Sequence, residues 1–188
     1  MRRLLLIVIM IAFAVWGMTA CKPGLLPTEE VGKPKVTLDR VEIVRLVPFE
    51  ELPKPSLMSL AYVFNIENPS GYNIKLESFK FGVFFEAAGE YMYLSTATTY
   101  DTMYFPPKTV SQYRVVDIID SRGVQLSLLV PNAPKMQALK LVAGDVIRNW
   151  YTKIGDFAFG IKVGEGQATF STEKGDVIVP FEGKFPKK

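Results

Sequence analysis

Five large apolar residues occupy every second position in Met58, Leu60, Tyr62, Phe64 and Ile66, and the run stops at Asn68-Pro69-Ser70-Gly71. A period of two places all five on one face of an extended strand, with Ser59, Asn65 and Glu67 on the other. That face needs a second apolar layer to cover it. The tetrad that ends the run is a concentrated turn signal, since Pro69 fixes its own φ and Gly71 is free to take φ > 0.

The same period recurs along the chain. Val36 and Leu38, then Val41 and Ile43, alternate in opposite phase, which predicts a bulge near Asp39-Arg40 in a first strand. Tyr72, Ile74 and Leu76 give way one residue out of phase to Phe79, Phe81, Val83 and Phe85, predicting a second bulge near Glu77-Ser78. Ala88-Gly89 marks a turn, residues 91–99 a fourth strand, 101–108 a loop, and 110–119 a fifth strand with Val115 and Val116 in the core. Phe157, Phe159, Ile161 and Val163, then Ala168 and Phe170, then Val177, Val179 and Phe181 complete the pattern, with a hairpin turn at Glu173-Lys174-Gly175-Asp176. The period changes once. Between Asn132 and Trp150, the residues Met136, Leu139, Ala143, Val146, Ile147 and Trp150 recur at spacings of three and four, a helical face with Asn132 as N-cap and Pro134 in the first turn. No internal repeat is present, so the expected body is one all-β antiparallel sandwich with a single helix between late strands.

The amino-terminal segment obeys different rules. Arg2 and Arg3 precede Leu4 to Ala20, 17 residues without a charge, which reads as a secretion signal rather than folded structure. The only cysteine, Cys21, follows directly behind Met18-Thr19-Ala20, an order that resembles the lipobox of bacterial lipoproteins. The resemblance implies a diacylglyceryl thioether on Cys21, cleavage after Ala20 and acylation of the new amino terminus. An uncleaved transmembrane anchor is one alternative, because the apolar run touches the lower end of a bilayer span of about 17–25 residues. A buried structural cysteine is the other. Residues 1–20 are thus assigned to the signal peptide, 21–35 to the lipidated cysteine and a tether rich in proline and glycine, and 36–188 to the sandwich. Fourteen tether residues stretch to at most about 45 Å. Lys22 is not the aspartate that favours inner-membrane retention, so the expected location is the outer membrane, facing the periplasm.

Without residues 1–20, the remaining 168 residues hold 20 basic and 19 acidic side chains, which gives no electrostatic case for nucleic acid. The chain contains no histidine, and its one cysteine is committed to lipid. It therefore lacks the side chains that dominate zinc, copper and redox sites, and no metal, cofactor or catalytic residue is expected. Asp117, Asp120 and Asp145 have no spacing that forces convergence, and Ser70 and Ser111 have no base to activate them. Gly164-Glu165-Gly166 reads as a hairpin turn, because it stands between two strands rather than between a strand and a helix. The aromatic and sulfur cluster of Tyr91, Met92 and Tyr93 with Tyr100, Met103, Tyr104 and Phe105 stands apart. Tyr100, Met103, Tyr104 and Phe105 fall in an expected loop and are candidate contact residues for a protein partner or a membrane. The bland reading is that the loop folds back to cap the sandwich.

Leu60-Ala61-Tyr62-Val63-Phe64-Asn65-Ile66-Glu67-Asn68-Pro69, followed by Tyr72-Asn73-Ile74, resembles the WHy (water stress and hypersensitive response) domain of the group 2 late embryogenesis abundant proteins. Residues 155–172 and the closing 175–185 are similar to that family's final hairpin, and Ser70 stands where the family usually has a second asparagine. The resemblance implies an immunoglobulin-like or fibronectin type III-like sandwich without catalytic residues, in which Asn68 and Pro69 are structural. It links the chain to desiccation and stress tolerance at the cell envelope. The alternative expectation is an envelope assembly factor that docks one protein partner through an exposed strand edge. An enzyme ranks last.

Overall fold

The computed structural model describes residues 32–186. The signal peptide, Cys21 and most of the tether lie outside the described residues. Eight strands form: β1 (Lys35–Leu46), β2 (Leu57–Asn68), β3 (Ile74–Ala87), β4 (Glu90–Thr99), β5 (Met103–Phe105), β6 (Thr109–Asp120), β7 (Ile161–Thr172) and β8 (Gly175–Phe185). Between β6 and β7 the chain makes α1 (Ser121–Leu129), α2 (Ala133–Ala138), α3 (Ala143–Lys153) and one 3-10 turn. All pairings are antiparallel. One sheet has the order β1-β2-β6, and the other runs β4-β3-β7-β8 with β5 added beside β3.

The expected alternation in β2 is the reason the two sheets pack. Met58, Leu60, Tyr62, Phe64 and Ile66 are all fully buried. Phe64 meets Phe79 at 4.8 Å, Phe81 at 5.2 Å and Phe181 at 5.4 Å between ring centroids, while Tyr62 meets Phe81 at 5.2 Å. Edge-to-face pairs of this kind contribute about 0.5–1.5 kcal/mol each beyond the area they bury. The outer face of β2 is also covered. Register places Glu42 of β1 beside Ala61 and Arg114 of β6 beside Val63, and their 3.1 Å ion pair passes over the middle strand. Ala61 and Val63 are buried beneath it.

Both expected bulges are present, as register shifts between Leu38 and Arg40 and between Leu76 and Ser78. Several local expectations need correction. Val116, expected in the core beside Val115, is 47% exposed. Gly164-Glu165-Gly166 is not a hairpin turn: it lies inside β7, where the register slips between Val163 and Gly166 and Glu165 takes φ 53°. A Cβ on Gly166 would fall 2.5 Å from the Phe181 ring and 2.6 Å from its carbonyl oxygen, so the glycine lets Phe181 lie back across its own strand pair. The single helix expected over 132–150 is two helices, α2 and α3, because Lys140 adopts a left-handed φ of 53° between them. Helix α1 lacked a strong apolar period; it is started by Asp120, whose carboxylate accepts the Arg122 N–H at 2.8 Å. Phe157 and Phe159 precede β7 instead of belonging to it.

Helix α3 closes one end of the sandwich by bonding to both sheets. The Trp150 indole donates to the Glu86 carbonyl of β3 at 2.8 Å, and the Tyr151 hydroxyl donates to the Ile119 carbonyl of β6 at 2.9 Å. No helix among the described residues is long and apolar enough to cross a membrane.

Two stability measurements follow from this packing. Gly166→Ala forces a methyl against a ring and a backbone oxygen that cannot both retreat, and its expected cost is about 2 kcal/mol in denaturant unfolding. A cost indistinguishable from zero would contradict the close approach. Tyr62→Phe has the opposite sign: the Tyr62 hydroxyl is buried with no hydrogen-bond partner. Its removal is expected to raise stability by up to about 1 kcal/mol, and a clear loss would show that the hydroxyl is satisfied.

Candidate functional site

Asn68, Pro69 and the short strand β5 lie at one end of β3, and a cleft that sequence reasoning missed, but for Tyr91, lies at the other. At the first end, β2 stops at Asn68. Its buried side-chain amide donates to the carbonyls of Tyr72 at 2.8 Å, Phe105 at 3.0 Å and Pro106 at 3.0 Å. Its oxygen accepts from the Ser70 backbone N–H at 3.0 Å and the Ser70 hydroxyl at 2.6 Å. A single amide therefore ties the turn after β2 to the end of β5. An asparagine suits the position because only a neutral amide offers donors to carbonyls and an acceptor to the turn in one planar group. Ser70, weighed above as a nucleophile, is a member of this network.

The candidate contact residues divide. Phe105 is 0% exposed and meets Phe170 edge-on at 6.0 Å, so it belongs to the core and not to an exposed patch. The cause is β5, a three-residue strand inside the expected loop: pairing with β3 turns Phe105 inward, leaves Met103 half-buried, and turns Tyr104 outward. Tyr100 is 78% and Tyr104 63% exposed, and these two rings remain as surface groups. Gly32, where the described chain begins, packs beside Pro69 at this same end.

The carboxylates do not converge. Asp117 accepts from Ser95 at 3.0 Å, Asp120 caps α1, and Asp145 sits in the first turn of α3. The Arg122 guanidinium beside Asp120 holds its carboxyl below the usual range. Asn132 does not cap α2. Its amide donates to the Tyr93 carbonyl at 2.7 Å and accepts from the Tyr93 N–H at 3.0 Å, covering the outer edge of β4.

At the far end of β3, a cleft of about 660 Å³ opens between the β3–β4 hairpin, the segment before β7 and the end of β8. Phe157 and Phe159 supply its apolar wall, and Glu86, Tyr91 and Lys184 its polar groups. The Gly160 N–H donates to the Glu86 carboxylate at 3.0 Å. A Cβ on Gly160 would lie 2.5 Å from Glu86 Oε2 and 2.6 Å from the Tyr91 hydroxyl, so both polar atoms converge over the one residue that has no side chain. Partial burial, with the nearby Glu86 charge, pushes the Tyr91 phenol up. The Lys184 ammonium stands 5.2 Å from the centroid of the Tyr91 ring. Of these residues, sequence reasoning flagged only Tyr91, within an aromatic cluster. The other signal was Phe157 and Phe159 between Gly155 and Gly160, which was read as strand.

No family model matches the chain, and no curated protein matches it. Among solved structures, it is similar to that of a protein from Archaeoglobus fulgidus, at 12% identity over 81% of this chain and 98% of that one, with a TM-score of 0.43. It is similar to AT1g01470 from Arabidopsis thaliana, at 10% identity over 82% of this chain and 80% of that one, with a TM-score of 0.46. A third likeness is to At2g46140.1, a candidate late embryogenesis abundant (LEA) protein, at 11% identity over 97% of this chain and 83% of that one, with a TM-score of 0.41. These are likenesses of shape.

The division at the first end is testable by mutation. Asn68→Ala strands buried carbonyls and the Ser70 N–H and is expected to cost about 3 kcal/mol. Phe105→Ala is expected to cost about 3–5 kcal/mol. Tyr100→Ala and Tyr104→Ala should each stay within about 0.5 kcal/mol of the parent in the same unfolding assay. A large loss at Tyr104 would mean that its ring is packed.

Proposed function

We propose that the chain is a bacterial envelope lipoprotein, in which a lipidated Cys21 holds a non-enzymatic domain of the WHy type at a membrane surface for stress (desiccation) protection or binding. The observation that carries this reading is the polarity of the domain. The described chain begins at Gly32 beside Pro69, eleven residues after Cys21, and the exposed ring of Tyr104 lies on β5, whose end Asn68 binds. Eleven residues reach at most about 36 Å, which bounds how far Gly32 can stand from a lipidated Cys21. Tyrosines suit such a boundary because they present an apolar ring and a wet hydroxyl. The family reading is supported by Asn68 and Pro69, which have the structural place that the WHy resemblance implies for them.

The competing reading, an assembly factor docking through a strand edge, finds obstacles on β1, β8 and β4 and leaves β6, the other edge of the first sheet, as its one long open strand among the described residues. β1 carries two register shifts, β8 carries Pro180, which has no N–H to give a new strand, and Asn132 already bonds the β4 edge at Tyr93.

Lipid attachment is tested by Cys21→Ser. One acyl chain binds a membrane only marginally, whereas the two or three chains of a mature lipoprotein hold it for good. The variant should accumulate as uncleaved precursor without incorporating labelled fatty acid, and retained label would overturn the assignment. Membrane fractionation then separates inner from outer membrane. Crosslinking on the anchored protein distinguishes the two function classes, since one dominant stoichiometric partner would favour assembly over stress protection.

A further inference from the structure

The cleft at the far end of β3 contains two opposite charges that do not satisfy each other. Glu86 has no cationic partner among the described residues; Oε2 takes the Gly160 N–H, and Oε1 faces no donor. Lys184 has no acidic partner among them either, and its ammonium rests over the Tyr91 ring instead. The Tyr91 hydroxyl, half-buried and directed over Gly160, has no hydrogen-bond partner in the described structure. Phe157 and Phe159 line the same cleft, an apolar wall that water solvates poorly.

This arrangement differs from an ordinary solvated surface. Surface carboxylates and ammonium groups at close quarters usually pair, as Lys162 does with Glu182 at 3.5 Å on the neighbouring strands. Here each charge is held by something else. Glu86 is fixed by the Gly160 N–H at its side chain and, at its backbone, by the Trp150 indole and the Gly160 carbonyl. The face of Tyr91 already carries the Lys184 ammonium, so what the residue offers a ligand is its unpartnered hydroxyl, which converges with the Glu86 carboxylate over Gly160. The volume, about 660 Å³, falls within the range of small-molecule sites.

From these observations we infer that the cleft binds a small organic zwitterion with an apolar body, its ammonium on Glu86 and the Tyr91 hydroxyl and its carboxylate on Lys184. The chain between the two charges lies along Phe157 and Phe159. A cation alone would leave Lys184 unpaired and repelled, and an anion alone would face the Glu86 carboxylate. The inference is independent of the lipid anchor and of the WHy reading, since every group that it uses lies in the folded domain.

The test is titration calorimetry on the purified full-length chain with four probes: 6-aminohexanoate, 5-aminopentanoate, hexylamine and hexanoate. The first two are zwitterions with separated charges, and the last two keep the six-carbon body with one charge each. The zwitterions should bind at least about tenfold more tightly than either singly charged probe. Glu86→Gln keeps an acceptor for the Gly160 N–H, and Lys184→Met alters an exposed side chain, so both variants should fold. Each should reduce zwitterion binding about tenfold, and Lys184→Met should leave hexylamine binding unchanged or stronger. Gly160→Ala, which fills the point where the two polar atoms converge, should abolish binding, with thermal unfolding confirming that the variant is folded. Absence of heat with both zwitterions, equal binding of hexylamine or hexanoate, or zwitterion binding unaffected by Glu86→Gln and Lys184→Met would each overturn the proposal.

Discussion

The packing of the β2 aromatic face against Phe79, Phe81 and Phe181 is the constraint on which the rest of the molecule depends. These rings come from three strands in two sheets, and Phe79 stacks on Phe181 at 4.7 Å between centroids. Phe181 reaches them only because Gly166 has no side chain, and Gly166 faces it only because β7 bulges at Glu165. A long-range contact between sheets thus rests on one local backbone feature. Protein interiors are packed as densely as organic crystals, so a methyl group at Gly166 has nowhere to go.

The same chain of dependence runs from the core to the cleft. α3 is amphipathic, and its buried face carries Trp150 and Tyr151, whose polar tips bond one sheet each. The Tyr151 hydroxyl is pushed up by burial and stays a neutral donor to the Ile119 carbonyl. Trp150 packs edge-on against Phe85 at 5.5 Å and holds the carbonyl of the next residue, Glu86. The backbone under the cleft is therefore fixed from below by an indole and from the side by Gly160. A site whose polar groups are held in advance loses less freedom on binding, which is the physical difference between this cleft and a loose surface groove.

Much of the sandwich was legible because alternation in an antiparallel strand reports burial directly. Both bulges were visible as phase changes, at Asp39-Arg40 and Glu77-Ser78, since a residue inserted into a strand flips every later side chain. Where the signal depended on partners, it failed. Phe105 could not be placed from its neighbours, because β5 has only three residues and exists through its pairing with β3. Asn132 has the composition of an N-cap, yet its amide has a better use against the β4 backbone. α1 has too weak an apolar stripe for periodicity to find it, and Lys140 takes a left-handed conformation that no residue type there announces. The cleft combines Glu86 and Tyr91, which face each other across the β3–β4 hairpin, with Gly160 and Lys184 from two distant segments, so no one stretch of the sequence announces it.

The edges and ends of the sandwich carry different chemistry, and that difference restricts where contacts can form. Edge strands are templates for further pairing unless something blocks them. On β1 the register shifts twist the ladder, on β8 Pro180 removes a donor, and on β4 the Asn132 amide occupies both backbone groups of Tyr93. The ends are unlike the edges. One offers the Tyr104 ring beside the Asn68 turn, and the other offers a cleft whose Glu86 and Lys184 have no ion-pair partner among the described residues. Strand β3 runs between them, pairing with β5 at Ile74–Leu76 and reaching the cleft at Glu86. The cleft residues Glu86, Tyr91, Gly160 and Lys184 share no member with the Asn68 network, so a contact at one leaves the other free.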